Sequence, residues 1–193
     1  MPDINKDKVI AFKSQKAFES WLGKNHDRVG GIWLRIYKKA SGTTTVTYAE
    51  ALDVALCFGW IDGLKRSYDD VSFIQRFTPR LARSGWSKMN VGHVDRLSIE
   101  GRMRPPGLAA VEAARSDGRW ANAYESPRHA QIPDDFLRAL KRNKKAYAFF
   151  ESLNRVNHYA IAYRLGSPKK RETREKRMKL FLDMMAKGQK IHE

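Results

Sequence analysis

Apolar positions in the first quarter of the chain change their period. Phe18, Trp21 and Leu22 fall at i, i+3 and i+4 behind Ser14, which predicts a capped helix running to about Asn25. Gly30-Gly31 breaks it. Ile32-Trp33-Leu34-Arg35-Ile36-Tyr37 then reads as a strand, because β-branched and aromatic side chains suit a pleated, half-buried surface. Thr47-Tyr-Ala-Glu50 has the form of a capping box, and Tyr48, Ala51, Leu52 and Ala55 follow at helical spacing until Gly59. Trp60 to Ser67 and Ser72 to Thr78 read as two strands turning around Asp69-Asp70, an antiparallel hairpin.

From Ser87 onward the spacing is helical. A helix near 88–100 precedes Pro105-Pro106, which open another through Ala114. Residues 121–133, with Asn, Ser, two prolines and His129, read as a linker. Pro133 opens a short helix over Phe136, Leu137 and Leu140. Asn143 caps the next, with Ala146, Phe149, Phe150 and Leu153 on one face. Val156, Tyr159, Ala160 and Tyr163 repeat that spacing, and Ser167-Pro168 start a long helix striped by Met178, Phe181, Leu182 and Met185. The pattern predicts an α+β fold: a small, mainly antiparallel sheet covered by helices over residues 1–130, and a helical module over 131–193.

Composition sharpens this. Within 193 residues, 37 Lys and Arg against 21 Asp and Glu give a net charge of +16, which favours anionic partners without bearing on fold. The excess grows along the chain, and residues 132–193, with 16 basic and 7 acidic side chains, form its basic end. A single cysteine, Cys57, excludes an internal disulfide and suits a reducing compartment. The first residues lack the apolar core of a secretory signal, and no run approaches the roughly 20 apolar residues of a membrane helix. The expectation is a cytoplasmic protein that does not insert into membranes. Its oligomeric state cannot be read from the sequence.

The densest chemistry lies between residues 55 and 90. Period-2 geometry puts Trp60 and Asp62 on one face of their strand, and Arg76, Thr78 and Arg80 on one face of the next. With Lys65 and Trp86 close in sequence, an aromatic plate beside guanidinium groups would stack on a planar ligand and grip a phosphate or carboxylate. Ser87 and Asn90, at a helix start, would add anion-binding donors. The competing reading makes Asp62 and Arg76 a structural ion pair, with Trp60 and Trp86 in the core. Cys57, between Leu56 and Phe58, reads as an inert buried thiol. Five scattered histidines imply no metal, and no motif implies a cofactor. A second anion site is the basic C-terminal helix, where Lys170, Arg174 and Arg177 share a face suited to nucleic acid. The pairs Glu172–Lys176 and Glu175–Lys179 equally describe a solvated helix.

Several unusual words occur in one order: Gly31-Ile-Trp-Leu, Tyr48-Ala-Glu-Ala-Leu-Asp, Cys57-Phe-Gly-Trp-Ile-Asp-Gly, Gln75-Arg-Phe-Thr-Pro-Arg, Trp86-Ser-Lys-Met-Asn, Gly101-Arg-Met, Asp117-Gly-Arg-Trp and Lys169-Lys-Arg-Glu-Thr-Arg-Glu-Lys-Arg. Through them the chain resembles the YdeI/OmpD-associated (OmdA) bacteriocin-protection proteins, and its C-terminal third resembles the helical OmdA module. The resemblance implies a soluble bacterial protein associated with tolerance of bacteriocins or cationic antimicrobial peptides, and implies no reaction. Charge sets one limit: a protein of +16 repels cationic peptides. The expectation is therefore a stress or tolerance factor that binds an anionic or planar-aromatic ligand. A nucleic-acid binder using the C-terminal helix, and an enzyme with Asp62 as acid or base, stand as alternatives.

Overall fold

The computed structural model describes residues 9–126, 129–168 and 170–193. The reading of the first eight residues, Pro127 and Arg128 of the linker segment, and Lys169 of the basic motif lie outside the described residues. The fold is α+β. Two compact units divide the chain: residues up to Trp86 with Asn90–Ala123, and Ser87–Met89 with Tyr124–Glu193. Among the described residues no helix is long and apolar enough to cross a membrane.

The first unit contains strands β1 (Val9–Ala11), β2 (Ile32–Tyr37), β3 (Trp60–Asp69) and β4 (Ser72–Pro79). It also contains helices α1 (Gln15–Asn25) and α2 (Tyr48–Cys57), most of α3 (Lys88–Ile99), and α4 (Pro105–Ser116). The sheet order is β1-β2-β4-β3, with β1 parallel to β2 and the other pairs antiparallel. Local chemistry sets the helix starts. Ser14 accepts from the Ala17 amide to cap α1, and Thr47 and Glu50 close a full capping box on α2. One face of the sheet packs on α1 and α2: Ile32, Leu34, Ile36 and Phe77 share a core with Phe18, Leu22, Ala51, Ala55 and Trp60. Trp60 is fully buried, and its Nε1 donates to the His26 carbonyl at 2.7 Å.

The second unit packs α5 (Asp134–Lys141), α6 (Lys144–Glu151), α7 (Arg155–Gly166) and α8 (Arg171–Ala186) around Phe136, Leu140, Phe150, Ile161, Leu165, Phe181 and Met185. Asn143 caps α6 as the sequence predicts. Two expectations need correction. On α7, Val156 is 59% and Tyr163 39% exposed, and the buried side is formed by Asn157, Ala160, Ile161, Ala162 and Leu165. Tyr163 instead packs edge-on against Tyr124, which lets an aromatic side chain stay wet at its hydroxyl end. The last helix starts at Arg171 and not at Ser167-Pro168, because the Ser167 amide is bonded to the Tyr163 carbonyl and closes α7.

Candidate functional site

Strand pairing assigns each side chain to a face, since residues directly opposite one another across a ladder point the same way. The face away from the core carries Trp33, Arg35 and Tyr37 from β2, which pair with Arg76, Ile74 and Ser72 of β4. On the far strand, Arg66 pairs with Ile74 and Asp69 with Ser72. A bulge between Asp62 and Lys65 resets the alternation of β3, so Asp62 and Lys65 pair with Phe77 and Gln75 on the core-side face.

The outer face is therefore a ladder of arginines and aromatic rings. Arg66 reaches across β4 to place its guanidinium carbon 5.5 Å from the Trp33 ring centre, and Arg76 places its own at 5.7 Å. Further along, Arg35 lies 4.4 Å from the Tyr37 ring and 4.8 Å from that of Tyr68. Each cation–π contact of this kind contributes about 0.5–1 kcal/mol at an exposed site. Ile74 is fully buried although it stands outside the helix-covered core. Its cross-strand neighbours are Arg35 and Arg66, and stems of such length cover apolar surface while their charged heads stay wet.

The cations of the ladder differ in what they already hold. Arg35 donates from Nε to Ser72 Oγ at 3.0 Å and from Nη2 to Asp69 Oδ2 at 2.5 Å. The Ser72 hydroxyl donates to the other Asp69 oxygen, and this bond, with Arg35 adding to it, holds the Asp69 carboxyl below its usual pKa. Arg66 and Arg76 enter no ion pair among the described residues. Arg76 donates from Nη2 to the Gly30 carbonyl, while its Nη1 is buried and meets no acceptor among the described residues. Burial lowers the pKa of its guanidinium from the ordinary value.

The residues singled out in the sequence separate into several places. Arg76 and Thr78 lie on the outer face. Asp62 and Lys65 line a hollow of about 340 Å³ on the other face, with Tyr48, Gly63, Phe73 and Gln75. There Tyr48 donates to Asp62 Oδ2 at 2.8 Å, and burial, followed by that carboxylate, raises the pKa of the Tyr48 hydroxyl. Lys65 Nζ lies 4.1 Å from the Phe73 ring centre, and Gln75 Nε2 donates to the Gly63 carbonyl at 2.7 Å. Trp60 is a core side chain. Trp86, 2% exposed, packs on Trp120 with the Arg80 guanidinium 3.5 Å from its ring centre. Arg80 also donates to the Gly85 carbonyl, closing the loop after β4. Asn90 lies in the first turn of α3, and Ser87 pairs with Tyr124 within the second unit. Asp62 and Arg76 are on opposite faces and form no pair. Trp33, Arg35, Tyr37, Arg66 and Tyr68 were missed, although the alternation Ile-Trp-Leu-Arg-Ile-Tyr already put three of them on one face.

In the second unit, Arg174 grips Asp135 through two bonds of 2.7 and 2.8 Å, and Arg177 donates to the Arg164 carbonyl and Ser167 Oγ. Both cations thus already tie α8 to its neighbours, while Lys170 precedes the helix and is exposed.

Cys57 is 3% exposed, and burial, partly offset by Arg102, pushes its thiol up to about 11. A bulky alkylating reagent should leave it unmodified in native protein at neutral pH and label it on denaturation. Stoichiometric native labelling, read by mass, would remove the assignment of an inert thiol.

Residues 10–110, more than half of the chain, match the family model of a domain of unknown function, DUF8412. Residues 129–188 match that of the bacteriocin-protection, YdeI or OmpD-associated (OmdA) family. The OmdA likeness thus rests on the C-terminal part, and the motifs quoted between Gly31 and Met103 fall within the other match. Neither the curated proteins nor the solved structures offer a match. The chain belongs to the DUF8412 family, and its residues 129–188 are similar to the OmdA bacteriocin-protection family.

Proposed function

We propose that the protein serves bacteriocin tolerance in the cytoplasm by binding a ligand that is both planar and anionic, and that Trp33 with Arg66 and Arg76 is the place where it binds. One observation carries this reading: two guanidiniums flank a single indole on the outer sheet face, and the buried Arg76 Nη1 meets no acceptor among the described residues. Neither guanidinium enters an ion pair among the described residues, so a phosphate or carboxylate would meet two uncompensated cations beside the ring. The ring would stack on the indole, and charge-assisted bonds to the two arginines would orient the acid group. The net charge of +16 argues against a cationic peptide as the direct ligand.

Thermal-shift and calorimetric titration with adenosine monophosphate, adenosine and ribose 5-phosphate test the two halves of the site. The monophosphate should bind more tightly than either fragment. Arg66→Ala should weaken it by roughly tenfold, the worth of one charge-assisted contact, with the melting temperature within about 2 °C of wild type. Equal binding by wild type and Arg66→Ala, or no response to the monophosphate, would refute the site.

A further inference from the structure

We infer that the outer face of the sheet is a platform for single-stranded nucleic acid, with Trp33 and the Tyr37–Arg35–Tyr68 cluster as two stacking stations on one continuous strand. The inference rests on the reading of Trp33, Arg66 and Arg76 as a binding site, and it names the ligand as a polymer.

The spacing of the stations makes the first argument. Trp33 and Tyr37 are four residues apart on β2, about 13 Å at the rise of an extended strand. Neighbouring stacked bases step by only about 3.4 Å, so one nucleotide cannot occupy both stations. A strand of several nucleotides can, laying one base at Trp33 and another beside Tyr68, which is 37% exposed. Arg35, 4.4 Å from the Tyr37 ring and 4.8 Å from that of Tyr68, holds the two tyrosines at one place, and the exposed Tyr68 ring is the stacking surface of the second station.

Charge and shape choose among polyanions. The ladder holds three cations, Arg35, Arg66 and Arg76, against one anion, Asp69, a net of +2 on a chain of +16. Asp69 is committed to Arg35 and Ser72, which leaves Arg66 and Arg76 beside Trp33 for phosphates. Four strands at about 4.8 Å spacing span roughly 14 Å, wider than the roughly 12 Å major groove, so this face does not enter that groove of an undistorted duplex. Splayed single-stranded bases can reach it. An acidic protein or an anionic lipid surface would use the arginines but leave the interleaved rings without a role.

The experiment is fluorescence anisotropy of a labelled twelve-nucleotide oligothymidine, with three comparison probes: an abasic oligonucleotide of equal length and charge, the corresponding duplex, and heparin. The oligothymidine should bind at least about tenfold more tightly than the abasic strand, since each stacked base commonly contributes that much. Tyr68→Ala and Trp33→Leu should each weaken it by about tenfold, and Arg66→Gln should flatten the log–log salt slope by about 0.7. Lys187→Glu, a charge change outside the sheet, should leave base-dependent binding intact. Tyr68→Ala and Arg66→Gln change exposed or half-buried side chains, so they test the platform even if Trp33→Leu does not fold. Equal affinity for the thymidine and abasic strands, for the duplex, or for heparin would overturn the inference. So would unchanged binding in Tyr68→Ala. Saturable binding of adenosine monophosphate without any gain for the oligonucleotide would sink the polymer reading and leave the small-ligand site standing.

Discussion

Gly107→Ala is expected to destabilise the first unit by about 3 kcal/mol, an overpacking cost at the upper end of the usual range. Gly107 lies in the first turn of α4, and a methyl group there would meet the Cys57 carbonyl oxygen at 2.2 Å, its carbon at 2.7 Å and the Leu56 oxygen at 2.9 Å. All three are backbone atoms at the end of α2. They have little room to move, because the Cys57 carbonyl accepts from the Arg104 amide and the Leu56 carbonyl from the Gly59 amide. Intrinsic preference works the other way, since alanine favours a helix over glycine by about 1 kcal/mol. Steric overlap with fixed backbone wins by magnitude. Melting temperature should fall by roughly 6–12 °C. Gly92→Ala in α3 supplies the control, for a methyl there meets nothing within 4 Å and should stabilise slightly. If both variants melt like wild type, the close approach of α4 to the end of α2 is not what the geometry describes.

That contact could not be read from the sequence, whereas the helix starts could, and the contrast has a physical basis. Ser14, the Thr47–Glu50 box and Asn143 act on amides three residues away, so their evidence is contained in a short window. The β3–β4 hairpin is equally local. Strand β1 is different: three residues at a sheet edge carry no alternation long enough to see, and only pairing with β2 creates them. The α7 stripe misled because apolar spacing was read without its polar anchor. Asn157 is buried, and its presence rotates the buried side of that helix away from Val156.

The candidate site was legible in its chemistry and not in its geometry. Aromatic rings beside arginines do recur in the structure, on the outer sheet face, and Arg76 is among them. Strict alternation along β3 would put Asp62, Leu64 and Arg66 on one face, but the bulge after Asp62 sends Arg66 to the opposite face from Asp62. The slip inverts the side chains from Lys65 to the second irregularity between Ser67 and Asp69, and nothing local in Gly63-Leu64 specifies it uniquely. Trp60 opens β3 and Trp33 is the second residue of β2, yet Trp60 is enclosed by α1 and α2 whereas Trp33 alternates with Ile32 and Leu34, which take the core side. The alternation was the available signal. Burial of Trp60 depends on what packs above it, which is information the strand does not contain.

Asn157→Leu is expected to release the C-terminal segment and cost the second unit about 2–3 kcal/mol. The side chain is fully buried and makes four bonds besides its own amide's to the Asn154 cap. Its Oδ1 accepts from the Ile191 and His192 amides at 3.0 and 2.9 Å, and its Nδ2 donates to the His192 carbonyl and Asn154 Oδ1. Ile191 is thereby held against the helical core. Leucine keeps the branched outline with bulkier methyl groups and removes every side-chain bond, so the change tests polar pairing without leaving a cavity. Two amides and a carbonyl would lose their partner, each costing about 1–3 kcal/mol if it stayed buried. Peeling away into water relieves that penalty at the expense of Ile191, which is why the net cost falls below the sum. Hydrogen exchange should show the signature directly, with the Ile191 and His192 amides losing protection while the middle of α8 keeps its own. Trypsin should cut after Lys187 and Lys190 faster than in wild type. Unchanged protection at residues 191 and 192 in a folded Asn157→Leu protein would mean that apolar packing of Ile191 alone holds the tail and that the buried amide contributes nothing to it.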